Sequence, residues 1–259
     1  MRIAVTRPVP ASLARCELTH LARVPIDIER AAAQHQRYEE ALQALGCAVR
    51  HVPAADDLPD SLFVEDAAIV LDEVAIITRP GAASRRPECD AVARVLAEYR
   101  PLQAITAPGT IDGGDVLRLG RTLYVGRSTR TNTEGIRQLA TCVAPLGYAV
   151  VEVRTASCLH LKSAVTAVDA DRVICNTDWI DARVLERVDV IAVDPAEPHA
   201  ANVLRVGHAL VCAAQHERTA ADLRSRGYDV YALDVSELAK AEAGVTCCSV
   251  IIEELGAGS

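Results

Sequence analysis

The cysteine pair in Thr246-Cys247-Cys248-Ser249 stands directly before the apolar run Val250-Ile251-Ile252, so a thiol is held at the mouth of a predicted strand. Three other segments bearing chemically capable side chains precede apolar runs in the same way: Phe63-Val64-Glu65-Asp66, Ile111-Asp112-Gly113-Gly114-Asp115 and Leu159-His160-Leu161-Lys162-Ser163. A cysteine, a histidine and several carboxylates at strand mouths are the parts of a thiol-nucleophile site that takes a cationic substrate. Cys247 is the candidate nucleophile. Such a thiol needs a depressed pKa, which a neighbouring cation such as protonated His160 would supply, while strand alternation turns Cys248 to the opposite face. Of seven histidines, only His160 combines a strand mouth with an apolar setting, and Asp112 is best placed to orient it. The plain alternatives are a small core cysteine, one of nine in the chain, and a satisfied core histidine.

The elements that must position these residues repeat along the chain. Ala67–Leu71, the turn Asp72-Glu73 and Val74–Thr78 read as a hairpin, followed by a helical pattern over Pro87–Tyr99 and a strand at Leu102–Ile105. The order returns with Asp115–Leu119, Thr122–Gly126, helix Thr131–Leu146 and strand Ala149–Val153. It returns again with Ser163–Val168, Arg172–Cys175, a short helix Asp181–Arg187 and Asp189–Val193. A fourth copy holds Val203–Val206, Ala209–Ala213, helix Gln215–Arg226 and Asp229–Leu233. The chain ends make a fifth from Cys248–Ile252, Arg2–Thr6, helix Glu29–Leu45 and Ala48–Val52, so that pairing them closes a ring. A period of roughly 45 residues belongs to propeller-like arrays. The expected fold is therefore α/β, a pseudo-symmetric ring of five ββαβ modules forming one catalytic domain over residues 1–259. A doubly wound sheet is the alternative, disfavoured because tight hairpins recur. In the ring, Asp66, Asp112, His160 and Cys247 all enter a first strand and point to one end of the axis.

Half of the 259 residues are apolar, enough for a substantial core. A net charge of -8 with scattered basic residues argues against nucleic acid and against anionic membrane surfaces, and no apolar run approaches the length of about 20 residues that spans a bilayer. The odd cysteine count without Cys-x-x-Cys pairs favours reduced thiols. Met1-Arg2-Ile3-Ala4-Val5 runs straight into a strand pattern without the zones of a signal peptide, so a cytoplasmic enzyme is expected. Gly113-Gly114 lacks the context of either phosphate-binding fingerprint and reads as a sharp turn or a close approach to a ligand. The paired acids Glu65-Asp66 suit a planar guanidinium. Arg85, Arg86 and Arg130 lie in connecting loops, where exposed charge is the default and capture of a substrate carboxylate is the functional reading.

Phe63-Val64-Glu65-Asp66, Asp112-Gly113-Gly114-Asp115, Arg130-Thr131-Asn132, His160-Leu161-Lys162-Ser163 and Thr246-Cys247-Cys248-Ser249 together resemble the dimethylarginine dimethylaminohydrolase family of the guanidine-modifying, or pentein, superfamily. The resemblance spans the chain in order and implies the five-bladed α/β propeller, with hydrolysis of methylated arginine to citrulline and a methylamine and no required cofactor. It casts Cys247 as nucleophile, His160 as acid and base, and Asp112 as its orienter. Asp66 would hold the substituted guanidinium, and Asp60 and Glu65 other polar groups. Arg85 and Arg130 would take the α-carboxylate, the backbone carbonyl of Ala241 would touch substrate, and Leu18 would ride a mobile lid over about Ala14–Arg23. Zinc is expected only as an inhibitor at Cys247 and His160. A homodimer is left open, and so is any part played by Arg86 or Lys162. Arginine deiminase and amidinotransferase are the enzyme alternatives, disfavoured because Lys162 stands where those families carry an acid and because the chain is short for them. A propeller that binds methylarginine without turnover is the alternative from another class.

Overall fold

The computed structural model describes residues 1–186 and 188–253. The chain opens with β1 (Arg2–Thr6), α1 (Ile28–Ala44) and β2 (Cys47–His51). The next unit holds β3 (Ala68–Val70), β4 (Ala75–Ile77), α2 (Cys89–Leu96) and β5 (Leu102–Ala104), and the one after it β6 (Val116–Leu119), β7 (Thr122–Arg127), α3 (Thr133–Val143) and β8 (Ala149–Arg154). A helical turn, α4 (Leu161–Ala164), leads into β9 (Val165–Ala167), β10 (Arg172–Cys175) and β11 (Asp189–Ala192). The fourth unit is β12 (Leu204–Val206), β13 (Ala209–Ala213), α5 (Glu217–Ser225) and β14 (Asp229–Leu233), after which α6 (Ser236–Ala239) precedes β15 (Val250–Glu253).

These strands form five three-stranded sheets with one pattern. The middle strand is antiparallel to the first strand of its unit and parallel to the third. Hairpin and crossover therefore coexist in each unit, the crossover being what a parallel pair requires. The fifth sheet joins the chain ends: β15 lies antiparallel to β1, Ile3 opposite Ile252, and β1 is parallel to β2.

Strand alternation explains why the ring closes. In β13, Leu210 and Cys212 enter one buried cluster with Ile174 and Ile191 of the preceding unit, whereas Val211 and Ala213 enter another with Ala4 and Cys47. The same division gives Ile69 and Ile76 to one core and Ala68, Ala75 and Ile77 to the next. Each of the five cores is thus shared by two neighbouring units, and no unit can bury both sheet faces alone.

Some expected boundaries move. The helix expected at Asp181–Arg187 is a single 3-10 turn over Ala182–Val184, pinned by Arg183 N donating to the Asp181 carboxylate at 3.1 Å. Arg187 lies outside the described residues, and so short a segment gains little from helix propagation. The pattern over Pro87–Tyr99 divides into a 3-10 segment, Ala83–Glu88, and α2. The last strand begins at Val250 rather than Cys248, so both adjacent cysteines occupy the turn before it. Among the described residues no helix is long and apolar enough to cross a membrane.

Candidate active site

First strands are entered through tight turns, and these turns carry the chemistry. Glu65 and Asp66 lie in the 3-10 turn before β3, Asp112 caps the turn before β6, and His160 stands in extended backbone as the cap of α4. Cys247 sits in the turn before β15. The ring gathers these mouths at one end, where Asp66, His160 and Cys247 line a small cavity with Asp60, Arg85, Arg130 and Ala241.

His160 is buried between two carboxylates. Its Nε2 hydrogen-bonds Asp112 Oδ2 at 3.1 Å and its Nδ1 lies 3.7 Å from Asp66 Oδ1. Burial alone would lower its pKa, but Asp66, the bond to Asp112 and the charge of Asp115 overcome it and raise the imidazole to about 9. With Nε2 committed to Asp112, Nδ1 is the nitrogen left to exchange protons with a ligand. Asp112 is fixed in turn, its Oδ1 accepting from Gly81 N at 2.9 Å and its backbone N donating to Thr131 Oγ1 at 3.2 Å. Asp66 is opposed by burial but held at about 2 by His160, by Arg85 and by Gly114 N, so it stays ionised.

Cys247 does not have the depressed pKa expected of it. Burial, then the charges of Glu65 and Asp66, push the thiol up to about 12, although Gly244 N donates to its sulfur at 3.4 Å. Cys248 is fully buried in an apolar cluster, so its seclusion comes from packing at the turn rather than from strand alternation. All nine cysteines are free thiols.

The remaining expected residues divide. Arg130 lines the cavity, and its Nη2 donates to Thr19 Oγ1 at 3.2 Å. Arg85 also lines it, but it spends its donors on Asp66 at 2.6 Å, on Glu88 at 2.9 Å and on the carbonyls of Asp60 and Phe63. Capture of a carboxylate by Arg85 would require exchanging one of these bonds. Asp60 accepts from Glu17 N at 3.1 Å, and burial raises its pKa. Glu65 faces away from the cavity, bonding Lys162 Nζ at 2.6 Å and accepting from Thr246 Oγ1 at 2.8 Å. Arg86 donates to Pro80 O and does not line the cavity. Leu18 packs against the cluster containing Ala241, and it is Glu17 of its segment that reaches the cavity. Among the described residues, the three donors grouped within 4.8 Å of one another for a cation are Asp66, Asp112 and His160; Cys247 is not among them, unlike the expected zinc pair. Gly113 and Gly114 are close-approach positions, though to protein rather than ligand: a Cβ on Gly113 would meet Glu65 O, and one on Gly114 would lie 2.7 Å from His160 Nδ1.

Several working residues escaped sequence reasoning. Asp115, quoted there without a role, accepts from Leu161 N, Ser128 Oγ and Thr131 Oγ1, tying the His160 turn to the Arg130 loop. Its own carboxyl is raised to about 6 by burial. Asn202 holds the fourth unit's equivalent place, linking Lys162 O and Thr246, a place for which the sequence reading named no candidate. Glu242 carried no sequence signal beyond its place beside Ala241.

Residues 49–205 match the family model described as arginine deiminase. A curated relative from Streptomyces coelicolor, named N(G),N(G)-dimethylarginine dimethylaminohydrolase, is 43% identical over 97% of this chain and 96% of its own length. The chain belongs to the dimethylarginine dimethylaminohydrolase family. A second relative of that name, from Pseudomonas aeruginosa, is 33% identical over 86% of this chain and 89% of its own. The solved Pseudomonas aeruginosa enzyme, as a cysteine-to-serine mutant complexed with citrulline, superposes with TM-score 0.92 at 31% identity, covering 96% of this chain and 98% of that one. A second dimethylarginine dimethylaminohydrolase structure, a histidine-to-glycine mutant as an adduct with S-methyl-L-thiocitrulline, gives the same TM-score over 97% of this chain and 100% of that one. A cyanobacterial arginine dihydrolase domain, at 19% identity and TM-score 0.89, shares the fold.

Proposed function

We propose that this protein hydrolyses Nω-methylated arginines to citrulline and methylamine or dimethylamine through a covalent intermediate on Cys247. The observation that carries the reading is His160 bracketed by Asp66 and Asp112 in the same small cavity as Cys247. An ionised Asp66 attracts a guanidinium, and the guanidinium brings to the thiol the positive charge that the resting site lacks. As the guanidinium binds, the S–H proton passes to solvent water, and the sulfur then bonds to the guanidinium carbon. Collapse breaks the bond to the methylated nitrogen, which leaves with a proton from His160 Nδ1. Neutral His160 then takes a proton from water as its oxygen attacks the thiouronium carbon, and the C–S bond breaks to give citrulline and restore the thiol. Arg130 pairs with the α-carboxylate, with Asp60 and the Ala241 carbonyl nearby for the ammonium. The single catalytic unit requires reduced Cys247, in keeping with a cytoplasmic setting.

The deiminase reading predicts turnover of arginine itself. Lys162 is a lysine where the deiminases carry an acid, so it offers no second carboxylate to the guanidinium, and its ammonium is paired with Glu65. Incubation with asymmetric dimethylarginine, monomethylarginine and arginine, with citrulline as readout, should give product from both methylated compounds and far less from arginine, and none with Cys247→Ser. Preference for arginine would return the assignment to a deiminase, and no citrulline from any of the three would favour a binding protein.

A further inference from the structure

At the tip of the segment over residues 14–23, three consecutive backbone amides are gathered by one side chain. Glu242, in the loop between α6 and the Cys247 turn, accepts hydrogen bonds from three consecutive backbone amides: Thr19 N at 3.0 Å to each oxygen, His20 N at 2.5 Å and Leu21 N at 2.5 Å. Elsewhere the segment is held by Glu17, whose N–H donates to the Asp60 carboxylate and whose own carboxylate accepts from Ser84 Oγ, and by Thr19 Oγ1, which accepts from Arg130, while Arg23 donates to Ala14 O and Cys16 O at 2.6 Å each. Glu242 also stands in left-handed backbone at φ 58°, one of two non-glycine residues to do so among the described residues, a conformation a side-chain-bearing residue adopts at a cost. It lines both the catalytic cavity and a larger apolar pocket of about 400 Å³ whose wall includes His20 and Leu21. The catalytic cavity measures only about 20 Å³, room for little more than a water. An arginine-sized ligand needs more room than this, and Glu17 of the 14–23 segment forms part of the cavity wall.

We infer that Glu242 is a positioning residue: its carboxylate latches the 14–23 segment over bound substrate, and on release leaves an anion at the entrance of a site for cations. Three charge-assisted bonds from adjacent amides are worth more than neutral contacts and are lost together when the segment opens. The same loop carries Ala241 and Gly244, whose N–H meets the Cys247 sulfur, so closing the lid also fixes the nucleophile's surroundings. The identity of the substrate rests on the reading proposed above; the latch does not.

Hydrogen exchange on the full chain tests the latch directly. In Glu242→Gln, the amides of Thr19, His20 and Leu21 should exchange at least about tenfold faster than in the unmodified protein, with Glu242→Asp intermediate and the amides of β7 and β13 unchanged. In turnover of monomethylarginine, Glu242→Gln should raise KM by about tenfold with kcat within about threefold, since a lid contact supports binding more than bond breaking. Lid amides that exchange at the unmodified rate in Glu242→Gln would overturn the inference. So would β7 and β13 amides accelerating alongside them, or kcat falling with KM unmoved. Exchange as expected in a protein that turns over no methylarginine would keep the latch and remove the proposed function instead.

Discussion

At the residue scale the decisive group is His160, whose charge depends on which carboxylates face it. Asp66 and Asp112 raise it from 6.5 to about 9 against burial, which favours the imidazolium at neutral pH, the form that the proposed reaction needs to protonate the leaving amine. Because the folded pKa lies above the unfolded one, its contribution to stability is complete below about pH 6.5 and disappears as pH rises through about 9. The Asp66→Asn variant should therefore lower the His160 midpoint by roughly one unit or more, followed by imidazole NMR so that turnover is not needed. A midpoint that stays near 9 in that variant would mean Asp112 and Asp115 carry the shift. That Cys247, His160, Asp66 and Asp112 meet at one end of the ring was legible in sequence because each precedes an apolar strand. The protonation of Cys247 was not, since it arises from burial and from Glu65 and Asp66, which only the fold brings close.

At the element scale the site depends on how closely the strand-entry turns approach one another. Gly114 is where the turns before β3, β6 and β9 converge: a Cβ there would lie 2.7 Å from both Asp66 Oδ1 and His160 Nδ1, while its N–H donates to Asp66 Oδ1 at 3.0 Å. Gly114→Ala should cost about 1–3 kcal/mol by urea unfolding, as an extra methyl does in a packed interior, and should lower kcat/KM by more than about a hundredfold by displacing His160 from Asp66. Full activity in that variant would show that the turns have slack. Alternation of apolar residues made the hairpins readable to within a residue or two. Side-chain direction within a 3-10 turn was not readable: Glu65 and Asp66 are adjacent, yet Asp66 faces the catalytic cavity and Glu65 turns to Lys162.

At the scale of the whole molecule, the five shared cores close a ring around an axis lined by the first strand of each unit. Contacts of β3 with β15, and of β9 with β6 and β12, encircle a cavity of about 230 Å³. The periodicity made the ring readable, because five copies of one pattern need both chain ends to complete the last. The polar contents of the axis had no such signal, since Lys162, Asn202, Glu65 and Thr246 come from four units and meet only after closure. Glu65 bridges Lys162 and Thr246, and Asn202 bonds the Lys162 carbonyl and Thr246. A largely buried ion pair is weak evidence for stability as a whole, but losing one partner strands the other charge. The Lys162→Met variant should accordingly lose about 3 kcal/mol in urea unfolding by leaving the Glu65 carboxylate without its cation. Adding Glu65→Gln removes that charge, and the double variant should return to within about 1 kcal/mol of the unmodified protein. If instead the double variant is as unstable as Lys162→Met, the loss comes from the packing of the lysine stem, and the pair does not hold the units together by charge.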